Sequence, residues 1–228
     1  MDKIREIKIP KDEVLRYLGY KKQKMDDSFL KLIDETIKEA EDIIELKYLA
    51  NKYKIELKDA GVLIEGTNLL LTGNDIKEHL KNSQEVILIA ATLGRNIEKK
   101  ISYYERINLT KAVILDSCAT AAVEELCDKI EVLIKEEMIS KMQGITFRYS
   151  PGYGDLPLDI QGSFIKSINA EKLIGLTVSK HNLLMPRKSV TAIVGIIDKK
   201  YEQHKKGCEV CKNYENCSYR REGISCGR

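Results

Sequence analysis

From Asp26 to about residue 51 the apolar residues Phe29, Leu30, Ile33, Ile37, Ala40, Ile44 and Tyr48 recur three or four positions apart, with Lys and Glu filling the intervening face. That period predicts one long amphipathic helix, and Asp26-Asp27-Ser28 supplies side-chain acceptors suited to its first turn. The pattern then changes. Residues 53–57, 62–65 and 69–72 are short β-rich runs separated by Asp59-Ala60-Gly61 and Gly66-Thr67-Asn68, which predicts an antiparallel meander. Gly73-Asn74-Asp75 opens a short helix to about residue 81. Residues 85–91, Glu-Val-Ile-Leu-Ile-Ala-Ala, show no alternation, and a continuous apolar run of this length reads as a buried strand at the centre of a sheet. It breaks at Thr92-Leu93-Gly94 into a helix over 95–105, whose first amides are a weak candidate for holding an anion.

A long helix is predicted over 110–142, kinked near Asp116-Ser117, with Val123, Leu126, Ile130, Leu133, Ile134 and Met138 as its inner stripe. Ala119, Ala121 and Ala122 permit close packing, Cys118 and Cys127 read as core thiols, and Glu124 and Glu125 are candidates to face a cleft at the sheet edge. Residues 159–168 and 171–174 are short helical pieces. Residues 176–179 and 183–185 read as one interrupted strand and 190–197 as another, joined at a tip carrying Pro186-Arg187-Lys188-Ser189.

Composition adds bounds. With 228 residues and 43% hydrophobic content the chain fits one α+β domain over 1–198, its N-terminal part helical to about residue 52, followed by a linker and cysteine-rich tail over 199–228. Thirty-eight Lys and Arg against 35 Asp and Glu leave a net charge of +3, so no global field argues for nucleic acid or an anionic membrane. No segment reads as an export signal, and no run approaches the roughly 20 apolar residues of a membrane helix, so a cytoplasmic protein is expected. His79, His181 and His204 have no carboxylate or cysteine at triad-like or zinc-like spacing.

The candidate chemistry centres on Arg148-Tyr149-Ser150-Pro151-Gly152-Tyr153. Pro151 presets the second position of a type II turn and Gly152 supplies the positive φ of the third, so Arg148 and Tyr153 are held at fixed places on either side. A guanidinium pairs with a carboxylate and a ring face attracts a cation, a combination suited to a zwitterionic or cationic ligand such as S-adenosylmethionine. By itself the hexapeptide reads more readily as a surface turn with an incidental arginine, and its flanks change that reading.

This segment, continued by Gly154-Asp155-Leu156-Pro157 and followed by Ile174-Gly-Leu-Thr-Val-Ser179 and Met185-Pro-Arg-Lys-Ser-Val190, resembles the C-terminal activation domain of cobalamin-dependent methionine synthase. Ala91-Thr-Leu-Gly94 and Leu115-Asp116 resemble stand-alone members. The resemblance implies a bent antiparallel sheet flanked by helices, with S-adenosylmethionine in a shallow groove at the sheet edge. It implies that Arg148 clamps the methionine carboxylate, that Pro151, Gly152 and Tyr153 shape the pocket, and that Glu124 corresponds to a family glutamate contacting the ligand. The family's early ligand-binding aspartate has no matching position here. In the family the domain has no turnover of its own. It docks over an oxidised cobalamin, and an electron from a flavodoxin or ferredoxin together with a methyl from S-adenosylmethionine restores methylcobalamin. Lacking homocysteine, folate and cobalamin modules, this chain would act in trans on a methionine synthase or related corrinoid protein.

Two other readings stand beside this one. An ordinary S-adenosylmethionine-dependent methyltransferase would want a glycine-rich loop after the first strand of a parallel sheet, which the sequence lacks. A metal-binding or electron-carrier protein would make the tail its active part. The tail's Cys208-x2-Cys211-x5-Cys217-x8-Cys226 offers four thiolates, the count for tetrahedral zinc or an iron–sulfur cluster, and its spacing selects neither. If all four cysteines hold one site, anaerobically purified protein will carry zinc or iron near stoichiometry, and Cys208→Ser will remove it. Metal analysis with visible absorbance checks this, and a metal-free protein leaves four unliganded thiols.

Overall fold

The computed structural model describes residues 4–201 together with 214 and 215. Along the chain the elements are α1 (Lys11–Tyr17), α2 (Asp27–Ile43), β1 (Lys47–Lys58), β2 (Gly61–Ile64), β3 (Leu70–Leu71), α3 (Asn74–Leu80), β4 (Ser83–Thr92), α4 (Asn96–Ile107) and α5 (Leu109–Ile139). There follow β5 (Gln143–Ile145), α6 (Gln161–Ser167), α7 (Ala170–Ile174), β6 (Thr177–Val178), β7 (Leu184–Met185) and β8 (Ser189–Asp198). Six strands form one antiparallel sheet in the order β3-β2-β1-β4-β8-β5, and β6 with β7 makes a separate hairpin. This is the α+β architecture, an antiparallel sheet flanked by helices, that the resemblance implies.

The apolar run becomes β4, paired with β1 on one side and β8 on the other. Its missing alternation has a direct cause: successive side chains point to opposite faces of a strand, and here both faces are covered. Ile87, Ile89 and Ala91 join Val14, Ile33, Ala40, Ile97, Ile101 and the inner stripe of α5 in one core. Val86, Leu88 and Ala90 join the meander, α3, α6 and α7 in a second core around Phe164. Each large aliphatic side chain buried this way contributes about 1.5–3 kcal/mol, so truncating Ile89 or Leu88 costs about 2–5 kcal/mol.

Four expectations need correction. Helix α2 ends at Ile43, eight residues early, because Ile44 turns extended and Glu45 N–H donates to Leu93 O at 2.8 Å. Residues 47–54 then pair with β4, so Leu49 is buried in the second core instead of continuing the helical face, and the N-terminal helical part stops short of residue 52. Helix α5 is continuous through Asp116-Ser117, since the Ser117 and Thr120 hydroxyls donate to carbonyls one turn back, Val113 O and Asp116 O, without breaking the backbone ladder. Residues 176–185 are two strands, not one, because Asn182 takes a positive φ of 59° and reverses the chain. Pro186-Arg187-Lys188 is accordingly a connector between β7 and the main sheet and not a hairpin tip. Helix α1 escapes the period because only Val14 on it is buried. The four tail cysteines lie outside the described residues. Among the described residues no helix is long and apolar enough to cross a membrane.

Glu39 ties the helical layer together. Its carboxylate accepts from Lys100 at 2.9 Å, Lys111 at 2.7 Å and the Tyr104 hydroxyl at 2.8 Å, joining α2 to α4 and α5. Burial pushes this carboxyl up, but the two ammonium groups and the hydroxyl outweigh it and hold it at about 2. A carboxylate depressed below its ordinary value of 4.5 stabilises the fold above that pH and loses its contribution as pH falls toward 2. Glu39→Gln should therefore cost about 1 kcal/mol at neutral pH and flatten the stability profile between those limits. Denaturant unfolding measured across that range checks it.

Candidate functional site

The turn forms as the Pro-Gly pair dictates: Tyr153 N–H donates to Ser150 O at 3.0 Å and Gly152 has φ of 92°. Gly152 N–H reaches Leu156 O at 2.9 Å and Leu156 N–H returns to Tyr153 O at 3.0 Å, closing the loop on itself. Leu156 is buried in the second core. Tyr149 pairs with Ile193 of β8 through both backbone groups, and its hydroxyl donates to Tyr153 O at 3.3 Å. The loop is also anchored at a distance. The Asp155 carboxylate accepts from the first amides of α3, Asn74 N–H at 2.6 Å and Asp75 N–H at 3.0 Å, while a Cβ on Gly154 would collide with the Tyr149 hydroxyl and the Asp75 carboxylate. Contacts about 80 residues apart in sequence thus hold the turn rigid.

Because Tyr149 faces the second core, its neighbour Arg148 faces the other way, onto α5. Glu124, Asp128 and Glu131 stand at i, i+4 and i+7 on that helix, one face, and surround the guanidinium. Arg148 Nη2 is 2.8 Å from Asp128 Oδ1 and 3.5 Å from Glu124 Oε2, and Nε is 3.7 Å from Glu131 Oε2. Nη1 is buried and has no hydrogen-bond partner among the described residues. Burial works against the charged form, but the Cys127 sulfur, Asp128, Glu124 and Glu131 outweigh it and raise the pKa above its ordinary value. The structure brings Arg148 and Glu124 together and engages the fork that the sequence reading leaves free. Asp128 and Glu131 complete the cluster, and the sequence pattern does not point to them. Their spacing from Glu124 was visible, but nothing in the sequence said that Arg148 would fold against that face.

Tyr153 is half exposed, its ring 6.2 Å from that of Tyr149, and Pro151 is buried beneath the turn. Lys188 is not a free cation: its ammonium lies 2.9 Å from Asp116 Oδ1 and donates to Thr120 Oγ at 2.8 Å. Glu98 accepts from the backbone N–H groups of Arg187 and Lys188, which lays the connector on α4 and leaves Arg187 exposed. The start of α4 is likewise covered, by Glu45, which accepts from Asn96 Nδ2 at 2.6 Å and packs against Gly94. A cavity of about 600 Å³ lies beside it, lined by Asp42, Glu45, Asn96, Lys99, Lys100 and Tyr103, none of them from the Arg148 turn.

Other reactive side chains are quiet. Cys118 and Cys127 are buried as expected and burial pushes both thiols up to about 12. Burial pushes His79 down to about 4, where its Nε2 lies 2.9 Å from Thr146 Oγ and its ring packs on Phe147 and Tyr149. The described residues contain no cluster of His, Cys, Asp and Glu placed to hold a metal ion.

No family model matches the sequence, and no curated protein does. Solved structures do. One described as the MetH reactivation domain bound to AdoHcy superposes over 87% of this chain and 73% of its own with a TM-score of 0.58, at 12% sequence identity. The likeness establishes a shared fold.

Asp155→Ala should remove two charge-assisted hydrogen bonds from the start of α3 and lower stability by about 1–2 kcal/mol. Asp155→Asn should recover part of that loss. Thermal unfolding of the three proteins checks it, and equal midpoints would show that the turn does not depend on this anchor.

Proposed function

We propose that this chain binds S-adenosylmethionine beside the Arg148 turn and supports reductive remethylation of cob(II)alamin on a separate methionine synthase or related corrinoid protein. The observation that carries the reading is that a rigid Arg-x-x-x-Gly-Tyr turn sits on a fold shared with a reactivation domain that holds AdoHcy. The residues present fit such a ligand. Arg148 brings a guanidinium, part of whose side chain is exposed, to the edge of the turn, Gly152 keeps the turn free of a side chain, and Tyr153 presents a half-exposed ring to a cationic centre. Glu124, half exposed beside Arg148, supplies an acceptor for a ligand ammonium or hydroxyl.

When bound, S-adenosylmethionine supplies an electrophilic methyl on a sulfonium. The chain's own residues bind and orient it, and positioning is the contribution such a module makes. No described cysteine is ionised at neutral pH, so a turnover that depends on a protein thiolate is not part of the reading. An electron donor of flavodoxin or ferredoxin type would complete the reaction. The ordinary methyltransferase reading loses ground, since every strand pair described is antiparallel and the crevice of a doubly wound parallel sheet has no counterpart.

Arg148→Ala should weaken S-adenosylmethionine binding by ~2 kcal/mol or more in calorimetry. With a reductant and a cob(II)alamin-loaded methionine synthase, the wild-type protein should speed the loss of the cob(II)alamin absorbance in a ligand-dependent way. Reactivation at the same rate without the protein, or unchanged with Arg148→Ala at a ligand concentration that does not saturate the mutant, overturns the proposal.

A further inference from the structure

The cavity of about 600 Å³ between the C-terminal end of α2 and the start of α4 shares no residue with the Arg148 turn, and its polar lining is only partly paired. Lys100 is fixed by Glu39 at 2.9 Å, and the Asn96 amide by Glu45 at 2.6 Å, while Glu45 also holds Lys47 at 2.9 Å. Two lining charges are left over, Asp42 on α2 and Lys99 on α4. Neither side chain makes a hydrogen bond or ion pair among the described residues, and they do not pair with each other although both border the same space. Lys8 lies within the field of Asp42 but is bound by Glu41 at 3.0 Å.

Helix stability accounts for neither charge. Asp42 is the last residue but one of α2, where the helix end is negative, and Lys99 closes the first turn of α4, where the helix end is positive. Each charge therefore stands at the helix end of its own sign. Two uncompensated charges of opposite sign bordering one cavity are the complement of a molecule that carries both. The remaining lining supplies apolar surface, with Ile43 and Ile44 half-buried and the Tyr103 ring 53% exposed. The volume lies within the range of about 300–1,000 Å³ found for small-molecule sites.

We propose that this cavity is a further ligand site, for a small zwitterion of the α-amino-acid type with an apolar side chain. Asp42 takes its ammonium group, Lys99 takes its carboxylate, and its side chain lies against Ile43, Ile44 and Tyr103. The site is independent of the reading given to the Arg148 turn.

A ligand-observed NMR titration of the full chain compares L-leucine with N-acetyl-leucine, which lacks the ammonium charge, and leucinamide, which lacks the carboxylate. Leucine is expected to bind saturably and each derivative about fivefold more weakly or worse. Asp42→Lys and Lys99→Glu each install the charge that its helix end favours, so both variants should keep the wild-type thermal midpoint while losing about fivefold or more in leucine affinity. Combining them should recover most of that loss, because a zwitterion can turn round between the exchanged charges. Three results overturn the proposal: no saturable binding of leucine to wild type, derivatives that bind as tightly as leucine, or a doubly exchanged variant no better than the single ones. None of these results bears on binding of S-adenosylmethionine at the Arg148 turn, which the Arg148→Ala comparison tests separately.

Discussion

Residues 86–92 of β4 are buried without exception, so this strand has no face to give to solvent and must be sandwiched. The helical layer of α1, α2, α4 and α5 covers one side, and the meander with α3, α6 and α7 covers the other. Each layer depends on β4 for its floor, and β4 depends on both for the removal of its apolar surface from water. Register follows from the same constraint, since a one-residue slip would exchange Ile87, Ile89 and Ala91 with Val86, Leu88 and Ala90 between two cores of different shape.

Helix α5 does two jobs along its 31 residues. Its inner stripe, with the small Ala119, Ala121 and Ala122, lies against the sheet, and a neighbouring row carries Asp116, Glu124, Asp128 and Glu131 toward the strand that follows it and the connector before β8. Lys188 and Arg148 are both drawn onto that row. The two cations that come from the β7–β8 connector and the Arg148 turn are thereby held by one continuous helix, which sets their separation by the rise of the helix and not by loop conformation. A cluster of side chains assembled on one such scaffold is pre-organised.

The fold shared with a MetH reactivation domain and the rigid turn are independent observations, one global and one local. Fold by itself does not carry function, and at 12% identity the superposition speaks of architecture. What the turn adds is local geometry: a buried guanidinium held on α5, a half-exposed ring, and a glycine at positive φ, fastened by Asp155 and Leu156.

Local signals in the sequence determined the elements whose cause is local. The Pro151-Gly152 pair specified its turn through φ preferences of those two residues alone, the six-residue apolar run over 86–91 specified a buried central strand, and the two cysteines within apolar helix specified core thiols. Local signals failed where a partner distant in the chain decided the outcome. Ile44 and Tyr48 keep the helical period, yet α2 stops at Ile43 because an eight-residue ladder with β4 outweighs a few more turns of surface helix. Residues 176–185 read as one strand until Asn182 reverses them. The same division runs through the site. Arg148 stood out in its Arg-x-x-x-Gly-Tyr motif, whereas the grip of Asp128 and Glu131 on the guanidinium, and the capping of α3 by Asp155, arise only when segments 17 to 81 residues apart meet. Pairwise electrostatics and hydrogen bonding depend on distance in space, and distance in space is what a one-dimensional pattern does not contain.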